Sequence, residues 1–307
     1  MNIAILGAGA MGSIYGGFLA ESGENQVTLI DIWKEHMEAV NQRGLIIEGQ
    51  NGERVIKNLR GVSSAAEAEP AELLIVFVKA THTEEAISQA TNLVRPETMV
   101  LTLQNGLGNV EKLCRVLSPA NVIAGVTSFG ASIKGPGRIH HGGSGDTVVG
   151  ELDGRRSQRL EGLKETFDRA NLPVKISDKV LSLIWTKLMA NIGINALATL
   201  TDLKNGQLLE NPGTDALLAA AVSEAAAVAK AKGIELETPD AVEHARVVAH
   251  KTGANTCSML QDVRAKRATE IAVINGAVVE AGLETGVPTP VNWVLTNLIK
   301  TIQDTYK

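Results

Sequence analysis

Five stretches in the first 130 residues are apolar almost without a break: 2–6, 26–30, 73–78, 99–103 and 121–127. Runs this short and continuous suit strands buried on both faces of a parallel sheet. Helical segments fall between them at 13–20 and 33–40, and Gly23 stops the first. Residues 45–48 and 55–56 flank Asn51-Gly52, a hairpin signal, and this hairpin is expected as an insertion at the sheet edge. Short β elements with a Gly-rich connection are expected from Arg138 to Gly150, then a helix at 157–170 and a strand at 174–176. From Asp178 onward no strand run recurs, and the pattern is long helical periodicity rich in alanine. The expectation is an α/β chain of two domains, a doubly wound parallel sheet at 1–177 and an all-helical domain at 178–307. No Pro- or Gly-rich linker marks the change, so tight packing with a cleft between the domains is expected.

The most apolar helix of the second half is interrupted in one regular way. Lys187, Asn191 and Asn195 are spaced i, i+4, i+8. On an α-helix that is one stripe, drifting about 40° over roughly 12 Å. Nearly every other position from 183 to 197 is apolar, and such a helix is normally buried. An ammonium and two carboxamides buried together are costly without partners. The stripe reads either as a narrow face open to water or as the wall of a polar cavity for an anionic, carbonyl-bearing ligand. Further on, 201–206 is a turn, 217–231 a helix capped by Gly233, and Ser258 with Gln261 forms a capping box. Asp262, Lys266 and Glu270 repeat the i, i+4, i+8 spacing, as in a salt-bridge ladder on a solvated face. A final amphipathic helix is expected at 291–302.

Composition narrows the classes. The chain has 307 residues, 44% hydrophobic and 21% charged, which fits an ordinary globular protein of two domains. A net charge of −5 with no long basic run argues against a nucleic-acid partner. Cys114 and Cys257 are far apart and suggest neither a disulfide framework nor a zinc site. Neighbouring histidines in a strand, His140 and His141, point to opposite faces and read as part of a solvated hairpin. Nothing else has ligand spacing with them, so no metal is expected. No stretch reaches ~20 uninterrupted apolar residues, and the chain starts directly in a strand without a basic leader. A cytoplasmic location without membrane attachment is expected.

The chemistry begins at Gly7-Ala8-Gly9-Ala10-Met11-Gly12, a G-x-G-x-x-G that ends a strand and opens a helix. Gly7 permits the turn, Gly9 lets a pyrophosphate approach the backbone, and Gly12 lets helix pack on strand. The helix N-terminus supplies amide donors and a positive dipole. All six residues are candidate cofactor ligands. Asp31 ends the next strand, where a carboxylate hydrogen-bonds both ribose hydroxyls of NAD and repels a 2′-phosphate. It could equally cap the helix at 33–40. Lys34 nearby softens the exclusion, and the balance favours NADH over NADPH. Strands 73–78 and 99–103 deliver Lys79 and Asn105 to their C-terminal ends, where ligands of open α/β sheets bind. Plain alternatives are a lysine at the solvent boundary and ordinary Asn-Gly turn chemistry.

Assembled, these residues resemble the ketopantoate reductase (2-dehydropantoate 2-reductase) family over essentially the whole chain. The resemblance rests on GAGAMG at 7–12, VKA at 78–80, QNG at 104–106, W-x-K-x-x-x-N-x-x-x-N at 185–195, and Asn205-Gly206. It rests as well on NTCSMLQD at 255–262 followed by T-E-I-x-x-I-N-G. It implies a Rossmann-type N-domain and an all-helical C-domain holding a small 2-oxo acid. The implied reaction is hydride transfer from NAD(P)H to ketopantoate, giving D-pantoate for pantothenate and coenzyme A synthesis. By the same resemblance Lys187 is the general acid, and Glu270 contacts the cofactor ribose and the lysine. Asn105, Asn191, Asn195, Asn205 and Ser258 hold substrate, while Lys79, Asn105 and Gly130 lie with the cofactor. A homodimer is allowed for. One departure stands out: many members carry a basic residue where this chain has Asp31. That resembles instead the branch of NAD-dependent D-2-hydroxyacid dehydrogenases acting on bulky branched or aromatic 2-oxo acids. A catalytically silent nucleotide-binding redox sensor is the remaining alternative.

Overall fold

The computed structural model describes residues 1–49 and 52–306, so Asn51 of the hairpin signal lies outside the described residues. The chain divides into two compact units, one of Met1–Gln104 with Asn109–Val180, the other of Asn105–Gly108 with Leu181–Lys307.

The first unit starts with β1 (Asn2–Leu6), α1 (Ala10–Glu21), β2 (Gln26–Ile30) and α2 (Lys34–Arg43). It continues through β3 (Leu45–Gly49), β4 (Gly52–Ile56), β5 (Leu59–Val62), β6 (Leu73–Val76) and α3 (Thr83–Gln89). Next come β7 (Met99–Thr102), α4 (Asn109–Val116), β8 (Val122–Thr127), β9 (Gly130–Gly135) and β10 (Arg138–Gly143). β11 (Thr147–Glu151), α5 (Gln158–Arg169) and β12 (Val174–Ile176) close it. Eight strands form the main sheet in the order β12-β11-β8-β7-β6-β1-β2-β5. All neighbours run parallel except β8 and β11.

Alternate residues of the inner strands serve two cores. Ile3, Ile5, Leu73 and Ile75 pack into one, Ala4, Leu6, Leu74 and Val76 into the other. That is why these runs carry no polar alternation. Counted along the sheet from β5 to β8, the strands stand in the order third, second, first, fourth, fifth, sixth. This is the Rossmann arrangement, and its direction reverses between β1 and β6, the crevice where such sheets take ligands.

The 45–56 hairpin does not sit at the edge of this sheet. β3 and β4 join β10 and β9 in a separate four-stranded sheet, order β4-β3-β10-β9, with β3 parallel to β10. The cause is α1, which is apolar on nearly every side and needs cover on two faces. A Cβ on Gly16 would lie 2.4 Å from Leu29 of the main sheet, and one on Gly17 would lie 2.7 Å from Ile47 of the second. β10 is therefore an interior strand, and His140 and His141 are half-buried rather than solvated. The His141 ring stacks on Phe129 at 5.8 Å, and burial, then the Arg54 charge, lowers its pKa.

The regular elements of the second unit are all helical among the described residues. α6 (Val180–Thr201), which enters it from the last residue of the first, is followed by α7 (Gln207–Glu210) and α8 (Pro212–Ala231). Then come α9 (Ala241–Lys251), α10 (Ser258–Arg264), α11 (Asn275–Thr285) and α12 (Pro290–Asp304). By length and composition α6 could cross a membrane, which a count of uninterrupted apolar residues missed because Lys187, Asn191 and Asn195 interrupt it. From Trp185 to Ala198 its apolar side chains are buried, although Leu181 near its start is exposed, and Gly193 is close enough to α8 that a Cβ there would sit 2.8 Å from Leu218. Asn275 of α11 donates to the Ile192 carbonyl at 3.3 Å.

Candidate active site

The glycine turn is built by exclusion of Cβ atoms. Gly7 has φ +96°, and a Cβ there would lie 2.4 Å from the Val78 nitrogen just beyond β6. A Cβ on Gly12 would lie 2.0 Å from the Gly7 carbonyl oxygen. Gly9 differs, because a Cβ there would meet nothing within 4 Å. It also precedes α1 without any side-chain cap, so the first-turn N–H groups of a 12-residue helix border open space. Open space, uncapped amides and the helix dipole suit a pyrophosphate. These residues therefore fit a dinucleotide.

Asp31, at the end of β2, does more than either sequence reading allowed. Its Oδ1 accepts from the Trp33 N–H at 2.9 Å, as a turn cap would, and its Oδ2 accepts from the Ala8 N–H at 2.8 Å. The carboxylate thus ties the glycine turn to β2, and each oxygen keeps a second lone pair for a ribose hydroxyl. Lys79, exposed, starts the short turn after β6, and Gly130, also exposed, starts β9.

In the second unit three residues come together from distant parts of the chain. Lys187 Nζ donates to Asn105 Oδ1 at 2.8 Å, and Asn105 Nδ2 faces Glu270 Oε2 at 3.5 Å. An ammonium only donates and a carboxylate only accepts, so this orientation of the amide is the one that satisfies both. Burial lowers the Lys187 pKa from 10.5 to about 8, and the Glu270 charge opposes the drop. Val273 holds the arrangement. Its carbonyl accepts the Leu107 N–H at 2.8 Å and would lie 2.5 Å from a Cβ on Gly106, which has φ +82°. Its own N–H bonds back to the Glu270 carbonyl at 3.1 Å, so one turn fixes Asn105 and Glu270 together. Nothing in the sequence singles out Val273.

The helical periodicity across 262–270 misreads the segment. α10 stops at Arg264 and Lys266 takes a left-handed φ of +51°, so Asp262, Lys266 and Glu270 share no helix face. Asp262 is buried against Arg267 instead, at 3.0 Å. The cap of α10 is also one residue earlier than expected. The Cys257 thiol accepts from the Leu260 N–H at 3.4 Å, and Gln261 turns back to the Thr256 carbonyl. Ser258 is the exposed first residue of the helix, with no part in that cap.

A model of the family described as "Ketopantoate reductase PanE/ApbA" matches residues 3–154, and one for its C terminal part matches 179–303. A 2-dehydropantoate 2-reductase of Pyrococcus horikoshii is 36% identical over 98% of this chain and 97% of its own length. The chain belongs to the ketopantoate reductase family. Among solved structures, a ketopantoate reductase from Ralstonia eutropha superposes with a TM-score of 0.91 at 33% identity, over 100% of this chain and 99% of the other. D-mandelate dehydrogenase with NADH and anilino(oxo)acetate gives 0.94 at 32% identity, over 100% and 99%.

Within this ketopantoate reductase fold the remaining candidates are placed as follows. Asn191 is half-buried and Asn195 buried, one and two turns beyond Lys187 on α6. Asn205 is buried just past α6. Its Nδ2 donates to Thr252 Oγ1 at 2.9 Å, and its N–H to the Asn255 carbonyl at 3.1 Å. Its Oδ1 accepts from no described residue, so a buried acceptor stands open to a donor. Thr252 was not legible as its partner, since 47 residues separate them. No group of three or more His, Cys, Asp or Glu could hold a metal among the described residues.

Proposed function

We propose that this chain is an oxidoreductase acting on a CH–OH group, reducing ketopantoate to D-pantoate with NAD(P)H. In this reading the first unit binds the dinucleotide and the second binds the oxo acid. The carrying observation is the Lys187 ammonium, desolvated, hydrogen-bonded to Asn105 and electrostatically supported by Glu270. A bound dihydronicotinamide supplies the hydride. As charge develops on the 2-oxo oxygen, Lys187 stabilises it and delivers a proton, and a pKa near 8 suits that transfer near neutrality. Asn105 orients the ammonium, Glu270 keeps it charged, and Asn191, Asn195, Asn205 and Ser258 offer polar groups to the substrate carboxylate and hydroxyl. Lys79 and Gly130 belong with the cofactor.

The finer cofactor reading is NADH, supported by the Asp31 carboxylate at the end of β2. Asp31 and the likeness to an NADH-bound D-mandelate dehydrogenase also support a second reading, a D-2-hydroxyacid dehydrogenase for bulky branched or aromatic 2-oxo acids. One experiment separates them: kcat/KM for ketopantoate, benzoylformate and 2-oxoisovalerate, each with NADH and NADPH. Ketopantoate should lead; a preference beyond tenfold for either other acid transfers the assignment to the second reading. Failure to oxidise NADH or NADPH with any of them leaves only the silent sensor. A cytoplasmic homodimer completes the proposal, to be checked by cell fractionation and light scattering.

A further inference from the structure

The peptide groups on both sides of Ala8 are held by side chains. Its N–H donates to Asp31, as above, and its carbonyl accepts from Ser13 Oγ at 2.8 Å. Ser13 is fully buried and also meets His36 Nε2 at 3.1 Å. His36, from α2, is itself fully buried, stacked on Trp33 at 4.9 Å, and its Nδ1 accepts the Gly137 N–H at 2.9 Å. The direction of this chain is determined throughout. A backbone N–H can only donate, so Nδ1 carries no proton and the proton sits on Nε2. Nε2 then donates to Ser13 Oγ, leaving the Ser13 hydrogen for the Ala8 carbonyl. The imidazole is neutral in this arrangement, and its burial acts in the same sense, lowering its pKa against the opposing charge of Asp31.

We propose that His36 and Ser13 are positioning residues for the dinucleotide: the chain Gly137–His36–Ser13–Ala8 fixes the peptide plane of the glycine turn before the pyrophosphate arrives. The inference rests on the dinucleotide-binding reading of the first unit. A ligand that meets the turn already oriented does not lose affinity to ordering it. Conventional fingerprint residues would not reveal this, because the determinants sit just past the glycine turn, in the first turn of α2 and in a remote β-turn.

The test is calorimetric titration of NADH onto the full chain, with KM and kcat measured alongside. Ser13→Ala and His36→Asn, which keeps an acceptor for Gly137 but cannot reach Ser13, should each raise the NADH Kd about tenfold. The loss should appear in KM for NADH rather than in kcat. The double variant should lose about tenfold, not a hundredfold, because both changes cut one chain. His36→Gln, whose amide can still donate to Ser13, should stay within about twofold of wild type. A Kd unchanged in Ser13→Ala, or additive losses, overturns the proposal alone, whereas a wild-type chain that binds no dinucleotide overturns the functional reading with it. A measurement on the unaltered protein stands beside these should a variant not fold: the 15N shifts of His36 must report a proton on Nε2, and a proton on Nδ1 overturns the chain.

Discussion

The pH dependence of reduction tests the role of Lys187 most directly. Burial brings its pKa from 10.5 to about 8, with Glu270 resisting the drop. If the ammonium must be present to protonate the alkoxide, kcat/KM for the oxo acid should be level below pH 8 and fall tenfold per pH unit above it. By pH 9 about a tenth of the enzyme would carry the proton. Without burial the plateau would extend past pH 10. Glu270→Gln removes the charge that keeps the ammonium protonated, so the falling limb should move to lower pH. Lys187→Ala should lose both the proton and the charge, about 10³-fold in kcat or roughly 4 kcal/mol of barrier, with little change in NADH affinity. The assay is initial-rate NADH oxidation from pH 6 to 10 at saturating cofactor. A profile flat through pH 10, or a Lys187→Ala enzyme within tenfold of wild type, would refute the assignment.

The same lysine makes a stability prediction of opposite sign. Its folded pKa lies below its unfolded one, so unfolding takes up a proton between about pH 8 and 10.5, and stability should rise with pH across that window. Below pH 8 the full penalty is present, about 3 kcal/mol, so Lys187→Met should raise the urea midpoint at pH 7 and lose that advantage near pH 10.5. Gly12→Ala places a Cβ 2.0 Å from the Gly7 carbonyl oxygen and should abolish NADH binding in a titration; retained affinity would show that the turn can relax. Asp31→Arg should shift the NADH/NADPH ratio of kcat/KM towards NADPH while raising KM for both, because the Ala8 tie is lost with the carboxylate. A ratio left unchanged would make Asp31 a turn brace only.

The sequence pattern leaves the edge strand β5 unmarked, but it specifies β1, β2, β6, β7 and β8, the glycine turn and the all-helical character of the second half. These follow from local periodicity and from glycines whose need is set by immediate neighbours: Ile3 and Ile5 alternate with Ala4 and Leu6 wherever the sheet lies. It also marked Lys187 and Asn105, though not that they touch across 82 residues. Tertiary packing set what each polar group faces. It moved the 45–56 hairpin to a second sheet because α1 needed cover on its other side, and it broke the expected ladder at Lys266. It gave the α10 cap to Cys257, and gave Asp31 the Ala8 and Trp33 N–H groups instead of the helix cap it was offered. The physical reason is range. Burial patterns and backbone conformations are written within a few residues, while a hydrogen-bond partner or a desolvated charge depends on which distant segment arrives beside it.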